Sequence, residues 1–143
     1  MEYKLIKSNN KDIDILIEYK KRTIYEYAKD LSKEEIDKIN NYVNDEVLKL
    51  INDYYNIIVD NKIVGCLLLT NKNDGKLLDE IYLEEEYRNK GIGTDIIKNI
   101  LKDNNIVYLY VYKENTKAIS LYKRLGFKVI EETELRYYMK YSK

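Results

Sequence analysis

The sequence predicts a mixed α+β domain in which helices pack on a sheet. Three observations predict it. Four stretches place apolar residues at helical spacing, whereas others are short β-forming runs or alternate. The two kinds interleave as strand, two helices, a three-strand meander, helix, strand, helix and two closing strands. No repeat, low-complexity linker or shift in composition divides residues 1–143, so one domain is expected.

Residues 3–6 read as an opening strand. Ile13, Leu16, Ile17, Ile24 and Tyr27 lie near helical spacing. Ser32 followed three residues later by Glu35 forms a capping box that opens a second helix. This helix is expected to reach about residue 53, with Ile36, Ile39, Val43, Val47, Leu48 and Ile51 on one stripe. The pattern then changes. Residues 56–59 and 62–69 read as strands joined by the tight turn Asp60-Asn61, a hairpin signal. A second turn at 73–76 leads to a third strand at 77–83. A charged loop follows and ends in Gly91 and Gly93. From it opens a helix with Ile92, Ile96, Ile97, Ile100 and Leu101 on one face. Residues 106–112 alternate, with Val107, Leu109 and Val111 on one face and Tyr108, Tyr110 and Tyr112 on the other. Asn115 caps a last helix carrying Ala118, Leu121, Tyr122 and Leu125, which Gly126 terminates. Residues 127–130 and 135–141 read as the closing strands.

Composition excludes several function classes. There is no histidine and one cysteine, Cys66. A Ser-His-Asp triad, a Cys-His dyad, a His- or Cys-based metal site and an internal disulfide are therefore ruled out, and no metal is expected. Acid–base chemistry must come from Asp, Glu, Tyr, Lys, the lone Cys, or a chain terminus with water. The 25 basic and 25 acidic residues cancel, so no nucleic-acid partner and no anionic membrane partner are expected. The absence of a long apolar run and of a leader pattern predicts a cytoplasmic protein. Sixteen tyrosines in a chain rich in Ile, Lys and Asn read as codon usage, so most are not functional. Cys66 lies in an apolar strand without a basic neighbour and reads as a small core residue.

Arg88-Asn89-Lys90-Gly91-Ile92-Gly93-Thr94 leads from a strand into a helix. Glycines allow close backbone approach, and a helix N-terminus presents unpaired N–H groups. The stretch can thus cradle a phosphate or pyrophosphate, or it can be a tight turn and nothing more. It is neither a Walker A loop nor a dinucleotide fingerprint, because Lys98 lies too far on and Ile96 stands at the third glycine position.

Arg88-x-x-Gly91-x-Gly93 after a strand resembles the acetyl-CoA signature of the GNAT acetyltransferases, as does the longer stretch Ile81 to Gly93. Asn115-x-x-Ala118-x-x-x-Tyr122-x-x-x-Gly126-Phe127 resembles that family's second signature. Glu85 and Asn89 depart from the family's usual Pro and Gly, and Asn89 can still adopt a left-handed turn. The resemblance implies a mostly antiparallel, twisted sheet of about six or seven strands, about four helices on both faces, and strands splayed at an acyl-CoA site. It implies acetyl-CoA as cofactor, coenzyme A as product, and direct transfer to a primary amine of a small-molecule or peptide acceptor. Backbone amides from Asn89 through Lys90, Gly91, Ile92 and Gly93 to Thr94 would hold the pyrophosphate, with Arg88 adding charge. Ile81, Tyr82 and Leu83 would lie along the pantetheine arm. Asn115, Ala118 and Tyr122 would meet its far end, with Tyr122 as general acid.

A phenol can donate to a developing thiolate while staying neutral, which suits Tyr122 to that role. Tyr122 can equally be a core residue one turn after Ala118. For the general base Asp79 and Glu80 are both candidates. Adjacent strand residues face opposite sides, so one of the two is expected to point into the gap, unless a bulge intervenes. Tyr110 is expected to line the acceptor site, and Glu84-Glu85-Glu86 to be a solvated face. A non-catalytic acyl-CoA-binding module on the same fold is the alternative. Monomer and homodimer both stay open.

Overall fold

The computed structural model describes all of residues 1–143. Seven strands form one sheet: β1 (Lys4–Lys7), β2 (Tyr54–Val59), β3 (Lys62–Lys72), β4 (Gly75–Leu83), β5 (Ile106–Tyr112), β6 (Lys128–Glu132) and β7 (Arg136–Ser142). Their order is β1-β2-β3-β4-β5-β7-β6, antiparallel everywhere except at β4–β5. The four helices are α1 (Ile13–Tyr27), α2 (Lys33–Leu50), α3 (Ile92–Asp103) and α4 (Thr116–Arg124). This is the expected fold class.

Alternation along the strands divides the core in two. Leu67, Leu78, Val107 and Leu109 join the buried isoleucines of α3 in one cluster. Cys66 and Leu68, on the opposite face of β3, pack with Tyr54 and with Leu16, Tyr19, Val43 and Val47 of α1 and α2. Local chemistry explains most element ends. Ser32 and Glu35 make both bonds of the capping box. Asp60 and Asn61 have φ of 49° and 64°, as a two-residue type I′ hairpin turn requires.

Most boundaries move by one to three residues from the sequence expectation, as frayed ends do. The stripe of α2 is corrected at two positions. Ile36 and Leu48 are exposed, and Leu50 packs inward in place of Leu48. Val43, Val47, Leu50 and Ile51 keep the i, i+4, i+7, i+8 spacing, whereas Leu48 falls about 100° around the helix from Val47. Residues Ile51–Asp53 form a short 3₁₀ turn that ends α2 early.

Candidate active site

The parallel pairing of β4 with β5 is brief. Lys76, Leu77 and Leu78 pair with Val107, Tyr108 and Leu109, and the strands then part. Beyond that point β4 stays paired with β3, and β5 with β7. The cause lies in β4 itself. The β3–β4 register shifts between Leu68, opposite Glu80, and Leu69, opposite Leu78, so Asp79 is an extra residue. Such a bulge bends its strand. The backbone of residues 79–83 therefore presents an edge without a strand partner to the gap, and edge N–H and C=O groups seek one. A cavity of about 920 Å³ opens there, lined by β4, β5, α1, Asn115 and Tyr122.

At one rim lies the glycine loop. Arg88 Nε donates to the Leu83 carbonyl at 2.7 Å, tying the loop to the end of β4, and its guanidinium lies over the Tyr82 ring. Asn89 takes φ 61°, the left-handed turn for which Asn is suited, and its side-chain oxygen accepts from Lys117. Gly91, at φ 88°, is the N-cap of α3 and supplies no side-chain cap, in contrast to Ser32 at α2 and Asn115 at α4. The amides of Ile92, Gly93 and Thr94 are therefore the orphan donors of a helix start. A Cβ at Gly91 would meet nothing within 4 Å, so the backbone here is open to a ligand. An uncapped, open helix start beside a guanidinium suits a pyrophosphate. Lys90 is exposed, and the Ile92 side chain is buried in the core, leaving only its backbone to the loop.

Asp79 and Glu80 both line the cavity, so the expectation that only one would face it is corrected. The bulge breaks strand parity at that point. Their environments differ. Glu80 is 8% exposed and fully engaged: one carboxylate oxygen accepts from the Tyr54 hydroxyl at 2.8 Å and from Lys20 Nζ at 3.3 Å, the other from the Cys66 thiol at 3.2 Å. Asp79 stays accessible. Burial by the surrounding protein pushes its carboxyl above the ordinary value; Lys20 opposes this, and Glu80 adds to it. Burial works against the Lys20 charge, but Glu80 and Asp79 more than offset that and hold the ammonium above its usual range. Burial and Glu80 push the Cys66 thiol well up, which agrees with a core residue and not a nucleophile.

Tyr122 is buried on α4, edge-on to Phe127 with ring centroids 5.7 Å apart. Its hydroxyl makes no hydrogen bond within the protein, yet is not sealed off, and the residue lines the cavity. Burial raises its pKa to about 12, so the phenol keeps its proton at neutral pH. Asn115 caps α4 by accepting from the Ala118 amide at 3.2 Å. Ala118 packs against the apolar core and is not part of the cavity wall, so its contribution is to fix α4. Ile81 and Leu83 pack against the same core while lining the cavity; Tyr82 stacks on Tyr19 at 4.6 Å. Tyr110 stands in the wall, 40% exposed. Glu84 is not simply solvated as expected, since it accepts from the Tyr19 hydroxyl and pairs with Arg22 at 3.7 Å.

Sequence reasoning missed Lys20 and the stacked pair Tyr27–Tyr112 at the cavity wall, and the buried Tyr54 that donates to Glu80. Lys20 left a signal: it lies one turn after Leu16 on the buried stripe of α1, and a lysine there needs a buried partner.

Residues 52–129 match the model of the acetyltransferase (GNAT) domain. The chain is 32% identical over 72 residues to the peptidyl-lysine N-acetyltransferase YjaB of Salmonella typhimurium, a match covering 50% of this chain and 47% of that protein. It is 33% identical over 63 residues to the spermine/spermidine N(1)-acetyltransferase of Bacillus subtilis, covering 40% of this chain and 41% of that one. The matches thus span less than half the length of these relatives. The solved structure of the PaiA N-acetyltransferase from Thermoplasma acidophilum in complex with coenzyme A superposes with a TM-score of 0.77 at 24% identity, over 100% of both chains, which is a likeness of fold. No helix is long and apolar enough to cross a membrane. Since the domain model runs from β2 into β6 and takes in more than half of the residues, this chain belongs to the GNAT acetyltransferase family.

Proposed function

We propose that this chain transfers an acetyl group from acetyl-CoA to a primary amine, by direct attack with both reactants bound. The observation that carries the reading is the splay of β4 from β5, which leaves an unpaired strand edge at residues 79–83, followed by the loop that leads to the uncapped start of α3. The edge suits an amide-bearing arm such as pantetheine, and the helix start suits its pyrophosphate. Bound acetyl-CoA supplies a thioester whose acetyl carbon passes to the acceptor nitrogen as the C–S bond breaks.

The chain's own groups handle the protons. Asp79, accessible and held above the ordinary carboxylate range, takes a proton from the incoming ammonium directly or through water. Glu80 is committed to Tyr54, Cys66 and Lys20, so it holds the bulge in place and leaves the base role to Asp79. Tyr122 donates its unshared hydroxyl proton to the leaving thiolate and regains one from the second proton that the acceptor nitrogen sheds as the amide forms. The names of the relatives carry peptidyl lysine and spermine or spermidine, all primary amines, which supports an amine acceptor.

The experiment is thermal unfolding with and without acetyl-CoA, followed by thiol release over an amine panel. At about 100 times Kd the ligand adds about 2.7 kcal/mol, a rise of roughly 3–6 °C. Gly91→Glu, which strains a φ of 88° and puts a negative charge in the cradle, should abolish the rise. A rise without thiol release from any amine means a binding module instead of an enzyme. No rise with any acyl-CoA removes the proposal.

A further inference from the structure

On the face that α1 and α2 cover, no residue of β5, β6 or β7 joins the helices' core, although the last residue of α1, Tyr27, stacks on Tyr112 at the end of β5. The part of this face beyond that core carries a ladder of tyrosines. Tyr110, already in the cavity wall, stacks on Tyr138 at 4.4 Å, and Tyr138 stacks on Tyr108 at 5.4 Å. Three cations lie against these rings. The Arg136 guanidinium is 4.5 Å from the Tyr110 centroid; Lys72 is 5.5 Å from that of Tyr138; Lys140 is 5.5 Å from that of Tyr108. None of the three has a carboxylate within ion-pair distance, although the chain as a whole is neutral. The acids on or beside this face are Asp74, which accepts from the Tyr108 hydroxyl, Glu131, opposite Tyr138 in the register, and Asp79 and Glu134, which share the cavity wall with Arg136.

We propose that the acceptor is a polypeptide whose reactive lysine enters the cavity while acidic residues flanking it lie along this cationic tyrosine face. The proposal rests on the acetyltransfer reading above. Continuity carries it first, because Tyr110 and Arg136 belong both to the cavity and to the ladder. Charge carries it second: unpaired cations on aromatic rings, with tyrosine hydroxyls between them, match carboxylates. Arg136 and Lys140 are four residues apart on β7, about 13 Å, so acidic residues within about four positions of the lysine would reach them. Single-stranded nucleic acid fits less well. The rings face one another or a cation, which leaves little free π surface for bases to stack on.

The test compares three fluorescent peptides that share one lysine and carry acidic, neutral or basic flanks, measured both for binding and for acetylation. The acidic peptide should have kcat/KM about tenfold above the neutral one, mainly through KM, with the gap shrinking as salt rises. The double variant Lys72→Glu/Lys140→Glu should invert the preference toward basic flanks. It should leave acetylation of a blocked single lysine unchanged. Equal rates for acidic and neutral peptides, or an unchanged preference in the double variant, overturns the proposal. So does tighter binding of a single-stranded oligonucleotide than of the acidic peptide. Selective binding of the acidic peptide with no transfer to any acceptor upholds the surface and removes the acetyltransfer reading instead.

Discussion

The two faces of the sheet solve different problems. Beneath α3 and α4, sixteen buried side chains form one cluster that contains no charged residue. Beneath α1 and α2 the cluster has seven, and it borders a buried lysine and a buried glutamate that hold each other. The first face supplies stability from apolar area. The second gives up apolar area to fix a carboxylate at the point where β4 leaves β5. Tyr122 crosses this division: it belongs to the apolar cluster, yet turns an unshared hydroxyl to the cavity. A packed face can thus hold the proposed proton donor rigid at the cavity, while the polar face holds the proposed base.

The largest expected effect breaks the polar face. Lys20→Met leaves Glu80 charged and buried without its cation, and should cost about 3–5 kcal/mol in denaturant unfolding. Adding Glu80→Gln should recover much of it. A single variant as stable as the parent would mean that the pair is not truly desolvated. On the apolar face, Ile96→Ala truncates a side chain 1% exposed and should cost roughly 2–5 kcal/mol, whatever the ionic strength or pH.

Tyr122→Phe tests the residue that crosses the division. It keeps the ring packed on Phe127, so the unfolding midpoint and its rise with acetyl-CoA should stay put. Turnover should fall about a hundredfold, near 2.7 kcal/mol in the barrier. Full turnover in this variant would reduce Tyr122 to a core residue.

The smallest effect concerns Asp79, and its sign is opposite. The folded protein holds this carboxyl above its ordinary 3.8, so the fold favours the protonated form. Stability from protonation is complete below 3.8 and is lost as pH rises through the raised value. At neutral pH the ionised group is a burden, and Asp79→Asn should be slightly more stable than the parent while turning over poorly. The stability gap should close as the solution is acidified. A less stable Asn variant at neutral pH would contradict the raised value.

Much of this was legible locally. The isoleucines of α3 all lie on the buried face that their spacing predicts, and the alternation in β5 places its valines and Leu109 inside and Tyr110 out. Gly91, Gly126 and Asn89 take the left-handed backbone their positions call for. These features depend on neighbours a few residues away. The choice between Asp79 and Glu80 was not legible, because it depends on a bulge set by pairing with β3 and on Lys20, Tyr54 and Cys66, which come from α1, β2 and β3.

By itself, then, the sequence determined the elements, their order and the glycine loop with its neighbouring tyrosine helix, since periodicity, caps and turns act over one or two helical turns. Tertiary structure alone decided where β4 parts from β5, which carboxylate is tied down and which stays accessible, and that the tyrosines of β5 meet Tyr138 and three unpaired cations on an uncovered face. The physical reason is that desolvation and charge pairing are set by groups far apart in the chain, and only the packed sheet brings them within reach of one another.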